Sequence, residues 1–540
     1  MRARLNSVSG GLRLAVGAWL LASCGGWAFT TAIAVYAFHR SGAGGVAGVT
    51  VARLLPAAVA APVSGRFIDR GDRGRVAAVA CAAQAAVLVT AAAVIRGGAS
   101  LPFVALLAAL FSIATSAPRP ALQSLMPALA RTPEELARAS AAWGAIDNLA
   151  FLLGGGVGGA AIGLIGEGDV VLGAAAALGL AAICASRLPV VVATSRDEPE
   201  SGEEEGLMAA LEGIRVVGRS PLLRAAFVLF AGLLLLEGTT DVQVVALALG
   251  PLHLGSGGAG VMFFIWGAGG IVGSALILGL VRRRGYGLVF AIGAVVFGAG
   301  LAAAGIPSLA VALAAMIPAG IGFAFVETAM ISVIPRLADD SVVGRVYALS
   351  EVLYGSAGCA GALLAPPLIR VFGVSGSLVV VGVAYAACAL LGWPAFLALD
   401  RGQEVAGRLR ELVRGIGFLA PLPLPRLERL VRDAHALEVG AGEVIITLGE
   451  RGEEFFMIER GEVEVVEYQR CLGTGEGFGE IALLHDVPRT ATVRATVQTQ
   501  LWVLTRRAFI GAVSAHADAS RLAEAVIAGH LSQPRKVNEL

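Results

Sequence analysis

Two ionisable residues of opposite charge, Glu480 and Arg489, lie nine positions apart in the stretch from Gly477 to Val493. The planar guanidinium of an arginine can bind two oxygens of one phosphate at once. The apolar segment between the two residues favours a short helix, and the amino end of a helix attracts anions. Gly479 has no side chain and allows the backbone to approach a ligand closely. The spacing therefore predicts a phosphate-binding loop.

The sequence around this loop has the pattern of a small soluble domain. An amphipathic stretch from Val405 to Phe418 precedes three prolines and a second short helical stretch from Arg426 to Ala434. Short runs rich in β-branched and aromatic residues follow, bounded by glycine or polar turns, and they predict a β-roll. The predicted strands are Val444 to Thr447, Glu454 to Ile458, Val463 to Val466, Ala491 to Ala495 and Leu501 to Leu504. Arg506 to His530 is predicted to form closing helices.

Two motifs, Phe-Gly-Glu-Ile-Ala-Leu-Leu at 478–484 and Pro-Arg-Thr-Ala-Thr at 488–492, resemble those of the cyclic-nucleotide-binding domain family. The resemblance covers residues 405–533. It implies that Glu480 binds the ribose 2′-hydroxyl, that Arg489 pairs with the cyclic phosphate and that Thr490 contacts the purine. It also implies a helical lid over the base and three residues that present backbone amides. The lid is Arg521 to His530, and the three residues are Gly479, Ile481 and Ala482.

The identity of the nucleotide stays open, because Thr490 is compatible with either purine, so cyclic AMP and cyclic GMP are both candidate regulatory ligands. The alternative is a roll that keeps the fold and has lost its ligand. Such domains usually lose the arginine or the glutamate, whereas both are present here, and burying the two without a ligand would be costly. His435, His485 and His516 have no cysteine or serine motif beside them. The domain is expected to bind and not to hydrolyse, so no enzymatic activity is predicted.

The rest of the chain has the composition of a membrane protein. Of its 540 residues, 56% are hydrophobic and 15% are charged, the net charge is +1 and the mean hydropathy is +0.78. A soluble domain carries about 25% charged residues. The six cysteines are scattered without a CxxC or Cys/His cluster, so neither disulfides nor a metal or other cofactor is expected. A lipid bilayer is the expected surrounding, and no nucleic-acid partner is expected.

Twelve apolar blocks between residues 14 and 398 are long enough to cross a bilayer. The longest segment between them, 188–222, separates six blocks from six. The predicted fold is thus an all-α bundle of 12 transmembrane helices with a 6+6 pseudo-repeat, followed by the soluble α+β roll. The blocks are 14–37, 44–65, 75–96, 101–118, 139–165, 169–187, 223–250, 256–281, 286–305, 308–334, 346–369 and 374–398. The predicted domains are 1–400, with halves 1–187 and 223–400, then 401–533 and a tail, 534–540.

Arginine placement predicts the orientation in the membrane. Alternate loops are rich in arginine, while the loops on the opposite side carry little beyond Arg40, Arg96 and Arg370. By the positive-inside rule, both termini and the nucleotide-binding domain are cytoplasmic. The basic N-terminus lacks a small-residue cleavage site, so the first block is predicted to be a transmembrane helix and not a signal peptide. A bacterial inner membrane, crossed many times, is the expected location.

The sequence Gly-Arg-Phe-Ile-Asp-Arg-Gly-Asp-Arg-Gly-Arg at 65–75 resembles the loop between helices two and three of the major facilitator superfamily. The resemblance covers about residues 10–400. It implies that Gly65, Asp69, Arg70 and Arg73 form a loop that gates the cytoplasmic side. The alternative is a solvated basic turn that only sets the topology, which explains the arginines but not the spacing of the glycine and the aspartate.

Two other features of that family are only partly matched. Gly154 to Gly159 is similar to the glycine-rich motif of antiporters in helix five, but Gly155 replaces the family's proline. Close helix packing is the favoured interpretation of these glycines, and antiport stays open. The family's arginine within helix four has no counterpart between Leu101 and Ser116. That difference puts a proton relay through such an arginine in doubt.

A few ionisable residues lie inside the predicted spans, where a charge costs roughly 3 kcal/mol on insertion scales. Such residues usually face a cavity or one another, so they are candidates for substrate binding or proton coupling. Glu237 and Asp241 are four residues apart on one helix face. The alternative, solvation near helix ends, is expected for about half of the set. The candidates are Arg53, Asp147, Glu237, Asp241 and Glu327, with Asp147 and Glu327 preferred as cavity residues.

The combined pattern predicts a secondary active transporter that exports small organic molecules and is regulated by a cyclic nucleotide. The expected partners are a small-molecule substrate, the nucleotide, the lipid bilayer and protons, and a monomer is expected. One alternative is a membrane receptor for cyclic nucleotides that no longer transports. Another is a constitutive transporter whose appended domain is purely structural. The sequence leaves the substrate, the coupling ion and the sign of regulation open.

Overall fold

The computed structural model describes residues 10–70, 72–129, 146–189, 212–215, 217–218, 221–337, 343–513 and 521–525, with single positions 135, 139 and 143. The predicted loop 188–222 and the tail 534–540 lie largely or wholly outside these residues. The chain divides into two compact units, Met1–Leu397 and Ala398–Leu540.

The first unit is helical throughout the described residues. Its helices are α1 (Gly10–Arg70), α2 (Arg73–Arg96), α3 (Leu101–Thr115), α4 (Pro118–Leu129), a π-helix (Phe151–Gly158), α5 (Gly159–Ile165), α6 (Glu167–Ser186), α7 (Pro221–Leu249), α8 (Gly258–Ala304), α9 (Leu309–Leu337) and α10 (Val343–Gly415), the last of which continues into the second unit. Side chains such as Leu164, which is 89% exposed, and Leu391 place apolar surface on the outside of the unit. Such a surface suits lipid and not water.

Ten stretches of these helices are long and apolar enough to cross a membrane, among the residues that the structure describes. They are Gly10–Ala60, Arg73–Arg96, Leu101–Met126, Ile146–Ile165, Glu167–Ser186, Leu223–Leu249, Gly258–Ile277, Gly285–Ala304, Leu309–Met330 and Val352–Pro394. Two of them are much longer than the roughly 20 residues that a bilayer requires. The backbone leaves the helical conformation inside both, at Ser41 and Gly42 in the first and at Gly373 in the last. The predicted number of twelve spans stays a prediction.

Small residues allow the two halves of this unit to meet closely. A Cβ atom built on Gly260 of α8 would lie 2.0 Å from the backbone nitrogen of Ala160. One built on Gly156 would lie 2.7 Å from the Cα atom of Phe264. Real Cβ atoms do not approach other atoms this closely, so only glycine fits here. The contact supports the interpretation of Gly154 to Gly159 as a packing surface.

The second unit contains two four-stranded antiparallel sheets. One has the strand order β1-β8-β3-β6 and the other the order β2-β7-β4-β5. The strands are β1 (His435–Val439), β2 (Val444–Ile446), β3 (Glu454–Arg460), β4 (Glu462–Val465), β5 (Arg470–Gly473), β6 (Gly477–Phe478), β7 (Val493–Ala495) and β8 (Thr499–Thr505). Among the described residues, the sheets are accompanied by the end of α10 and by α11 (Leu424–Asp433), α12 (Glu480–Leu484) and α13 (Arg506–Val513).

Strand β3 joins two hydrophobic cores because its side chains alternate between opposite faces. Phe456 and Ile458 belong to the core between the sheets. Phe455 and Met457 belong to the core between the roll and the helices, which also includes Phe509 of α13. The two aromatic rings, Phe455 and Phe509, stack with centroids 4.5 Å apart. Strand β3 therefore contributes to both cores, the one between the sheets and the one that the helices cover.

Candidate functional site

Arg489 lies at the centre of the predicted phosphate-binding loop, and its side chain is buried, with 7% exposed. Its Nη1 atom donates a hydrogen bond of 3.0 Å to the carbonyl of Gly479, and its Nη2 atom donates one of 2.8 Å to the carbonyl of Glu454. The guanidinium also lies over the ring of Phe456, with its central carbon 5.8 Å from the centroid. Because each terminal nitrogen carries two N–H groups, each retains a second donor for an anion.

Two glycines make room for this side chain. Gly479 has φ 95°, a left-handed conformation that suits glycine, and a Cβ atom there would lie 2.6 Å from Nη1 of Arg489. A Cβ atom on Gly452 would lie 3.1 Å from the guanidinium carbon. The backbone of the loop is also fixed, since the amide of Arg489 donates to the carbonyl of Glu450 at 2.8 Å. These contacts therefore fix the position of the arginine side chain.

The other predicted ligand-binding residues surround this arginine. Glu480 is the first residue of α12 and is buried, with 4% exposed. Ala482 is buried on the same short helix, whereas Ile481 and Thr490 are half-buried. The structure thus brings the predicted residues together around one loop, while their contacts with a nucleotide stay a prediction. Of the predicted lid, Arg521 to His530, residues 526–530 lie outside the described part of the structure.

The electrostatics of this site suit an anion. Burial lowers the pKa of Arg489, and the nearby carboxylates of Glu454 and Glu480 act in the opposite direction and raise it. An arginine stays charged at neutral pH even with such a shift. The buried charge is therefore available to pair with a phosphate.

Arg506 is a functional candidate that the sequence analysis missed. Its Nη1 atom donates a hydrogen bond of 3.1 Å to the carbonyl of Gly452, and its Nη2 atom donates to the carboxylate of Asp486. Its backbone amide donates to the carbonyl of Glu453 at 2.7 Å. Arg506 is the first residue of α13. Its side chain therefore connects this helix to Gly452 and to Asp486, which lie in the two segments next to Arg489. The neighbouring pair Arg506-Arg507 gives no sequence signal that singles out the first.

Part of the predicted gating loop can be placed. Arg73 begins α2, and its Nη1 atom donates a hydrogen bond of 3.1 Å to the carbonyl of Ser124 on α4. Asp72 caps the same helix through the amide of Gly74 at 3.0 Å. The side chains of Asp69 and Arg70, and the surroundings of Gly65, lie outside the described part of the structure. The gating role of the four predicted residues stays a prediction.

A cavity lies within the membrane unit between residues of both halves. It contains about 480 Å³ of space, including its open end. Arg53 of α1 and Asp241 of α7 face it together with Phe151 and Phe263. Glu237 lies one helical turn before Asp241 and is half-buried. Two of the five predicted intramembrane residues thus line one cavity.

Asp147 and Glu327 belong to a second group of charges. Asp147 accepts a hydrogen bond of 3.2 Å from the indole of Trp19 and one of 3.1 Å from Nη2 of Arg119. Glu327 is exposed and close enough for its charge to interact with those of Asp147 and Arg119. The candidate span Leu101–Met126 includes Arg119, which lies beyond the stretch Leu101 to Ser116 that carries no basic residue. Helix α3 ends at Thr115 and α4 begins at Pro118, so Arg119 lies in the first turn of α4.

The chain is similar to two protein families and to known members of one of them. Residues 15–362 match the Major Facilitator Superfamily, and residues 436–516 match the Cyclic nucleotide-binding domain. The cGMP-dependent protein kinase egl-4 of Caenorhabditis briggsae is 35% identical over 104 residues, 19% of this chain and 14% of that protein. The egl-4 kinase of Caenorhabditis elegans has the same identity over 104 residues, 19% of this chain and 13% of that protein. The chain thus spans about a seventh of the length of these curated relatives.

Among solved structures, a mutant of the nucleoside transporter NupG matches with a TM-score of 0.57 and 16% sequence identity. The match covers 72% of this chain and 99% of that one. At this identity the likeness shows a shared fold and nothing about the substrate. The predicted resemblances to the transporter family and to the nucleotide-binding family are confirmed by the family matches.

Proposed function

Because the chain belongs to the Major Facilitator Superfamily and carries a cyclic nucleotide-binding domain, we propose that it is a secondary active transporter regulated by cyclic AMP or cyclic GMP. The proposed direction is export, and the proposed substrate is a small organic molecule. The proposed location is a bacterial inner membrane, with both termini and the nucleotide-binding domain in the cytoplasm. In this proposal the nucleotide is a regulatory ligand and not a cofactor. The proposed activity is transport and not enzymatic.

The proposed membrane architecture is twelve spans in two halves of six. The breaks at Gly42 and Gly373 support this number, since each would divide one long candidate span into two of ordinary length. The contact of Gly260 with Ala160 joins the halves, and the cavity is lined from both. That arrangement is the one in which a transport path lies between two repeats.

The position of Arg489 is the observation that carries the proposed regulation. A buried guanidinium, held by two carbonyls and retaining further donors, is costly to keep unless an anion pairs with it. Glu480 lies beside it as the proposed acceptor for the ribose hydroxyl. In this proposal the nucleotide binds with its cyclic phosphate at Arg489 and its purine near Thr490.

The proposed coupling passes through the end of α10. Arg401 to Arg410 belongs to this helix, and within the second unit Arg408 pairs with Glu459 of β3 at 3.7 Å. The same carboxylate accepts a hydrogen bond of 2.8 Å from the indole of Trp502 on β8. Nucleotide binding is proposed to shift these contacts and to stabilise one state of the gate formed by Gly65, Asp69, Arg70 and Arg73. The end of α10 is therefore the proposed link.

The carboxylates of Glu237, Asp241, Glu327 and Asp147 are the proposed proton carriers. Glu237 interacts electrostatically with both Asp241 and Glu327, and Asp147 interacts with Glu327. Close carboxylates favour proton exchange, because a proton relieves the repulsion between them. A monomer is proposed, since one chain contains both halves.

The test is a transport screen with the full-length protein in vesicles, with and without an imposed pH gradient, each repeated with cyclic AMP and with cyclic GMP. We expect one nucleotide to change the transport rate about fivefold or more. A protein truncated after Asp400 should keep transport and lose the response. Transport without any response to saturating nucleotide would favour a purely structural domain. Nucleotide binding without transport of any compound would favour a receptor.

A further inference from the structure

Two unlike charges face each other in the membrane cavity. Arg53 comes from the first half of the membrane unit and Asp241 from the second, and both line the same space. The positive charge of Arg53 attracts the carboxylate of Asp241. Each is half-buried, so each charge is partly removed from water.

These two residues do not close into an ion pair. Within the described residues, no nitrogen of Arg53 lies within 4.0 Å of a carboxylate oxygen, and no side-chain hydrogen bond of either residue is found. Elsewhere in the same unit such pairs do close, as Arg119 and Asp147 do at 3.1 Å. Arg53 and Asp241 therefore differ from the other charged pair, because they line one cavity without direct contact.

Both charges lie well inside the span. Arg53 is eleven residues beyond the break at Gly42, which is about 16 Å along a helix. Asp241 is eight residues before the end of α7 at Leu249, about 12 Å along the axis. Each position is close to the middle of a hydrocarbon core about 30 Å thick. A charged side chain at that depth usually faces a partner or a transported solute.

The remaining residues that line the cavity are mostly apolar or aromatic, and three are threonines. Trp27 meets Phe151 edge to face with centroids 4.9 Å apart, and Phe151 meets Phe263 at 5.6 Å. Thr30 donates its hydroxyl to the carbonyl of Gly26 at 2.9 Å, which leaves the hydroxyl oxygen as an acceptor.

We propose that this cavity binds a zwitterionic organic molecule with an aromatic or apolar body, its carboxylate at Arg53 and its ammonium group at Asp241. Such a molecule bridges the two charges across the gap and satisfies both. A cation alone leaves Arg53 unpaired, and an anion alone leaves Asp241 unpaired. The inference rests on the proposed transport function, of which it names the substrate class.

The test measures binding by the purified full-length protein in detergent, without nucleotide and without a gradient, so that a failure of regulation or of transport leaves the result unaffected. Two matched trios are used as probes: phenylalanine, phenethylamine and phenylpropionate, then leucine, isoamylamine and isocaproate. Calorimetry should show at least one zwitterion binding about tenfold more tightly than its amine and its acid. Equal or weaker binding than a singly charged analogue, or no zwitterion binding below about 10 mM, would overturn the proposal.

Two substitutions test which charged group of the ligand each residue binds. Asp241→Asn should abolish the preference for the zwitterion over the acid, and Arg53→Met should abolish the preference over the amine. Arg96 and Asp169 form a half-exposed pair outside the cavity, so Asp169→Asn is the control and should leave all six affinities unchanged. Thermal unfolding is measured for each variant. A folded Asp241→Asn protein that still prefers the zwitterion by the same factor contradicts the assignment.

Discussion

The Nη2 atom of Arg489 donates a hydrogen bond of 2.8 Å to the backbone carbonyl of Glu454 on β3. Together with the bond from Nη1 to the carbonyl of Gly479, this bond fixes the plane of the guanidinium. A side chain that is already ordered loses less conformational entropy when it binds. The guanidinium that is proposed to bind the phosphate is therefore held in one orientation.

Replacing Arg489 by alanine should weaken cyclic nucleotide binding by about 100-fold or more, because a bidentate charged contact contributes about 1.5–3 kcal/mol per hydrogen bond. Calorimetric titration of the full-length protein with cyclic AMP and cyclic GMP measures the change. Arg451 belongs to the same loop region and is 83% exposed in a pair with Glu453, so Arg451→Ala is the matched control. Similar affinities for the two variants would contradict the phosphate assignment.

Replacing Glu480 by glutamine should weaken binding about tenfold, because a hydrogen bond to a charged group contributes about 1.5–3 kcal/mol. The readout is a cycle in which wild-type and variant proteins are each titrated with the nucleotide and with its 2′-deoxy form. If Glu480 binds the ribose hydroxyl, the substitution costs affinity for the nucleotide and little for the deoxy form. An equal loss for both ligands would assign Glu480 to the fold and not to the ribose.

The sequence predicted the roll well where strands have a clear hydrophobic pattern. Five predicted strands are confirmed as β2, β3, β4, β7 and β8. Three strands were missed. In β1 four of five residues are exposed, so no alternation marks it, and β6 consists only of Gly477 and Phe478. Pairing with β8 and β3 defines these two strands, and pairing of that kind cannot be read from a local pattern.

The membrane unit was less predictable at its helix ends. The predicted block 101–118 ended just before Arg119, whereas proline is tolerated in the first turn of a helix, and α4 begins at Pro118. The pairing of Arg119 with Asp147 was not predicted. The cavity could not be predicted either, because Arg53 and Asp241 are far apart in the sequence and only the packing of α1 against α7 brings them to one space.

Replacing Arg506 by glutamine should reduce nucleotide affinity although the residue does not belong to the predicted ligand contacts. The side chain holds Gly452 and Asp486 in place, and Gly452 lies against the guanidinium of Arg489. We expect a loss of about fivefold to tenfold, from one or two hydrogen bonds of about 0.5–1.5 kcal/mol each. Its exposed neighbour gives the control, Arg507→Gln.

Hydrogen exchange distinguishes a positioning role of Arg506 from a general contribution to stability. In Arg506→Gln, the amides of residues 480–484 should exchange faster while those of β3 and β8 stay protected. Uniformly faster exchange across the roll would mean that the substitution only destabilises the fold.

Gly260 provides a test of the contact between the two halves. A Cβ atom at this position would lie 2.0 Å from the nitrogen of Ala160 and 2.1 Å from the carbonyl carbon of Gly159. Gly260→Ala should therefore force the helices apart, at a cost of about 1–3 kcal/mol, and lower the midpoint of thermal unfolding in detergent. Gly279 belongs to the same helix with nothing within 4 Å of its Cβ position, so Gly279→Ala should leave the midpoint equal or slightly higher, because alanine favours helix. Equal midpoints for the two variants would mean that the halves do not meet at this glycine.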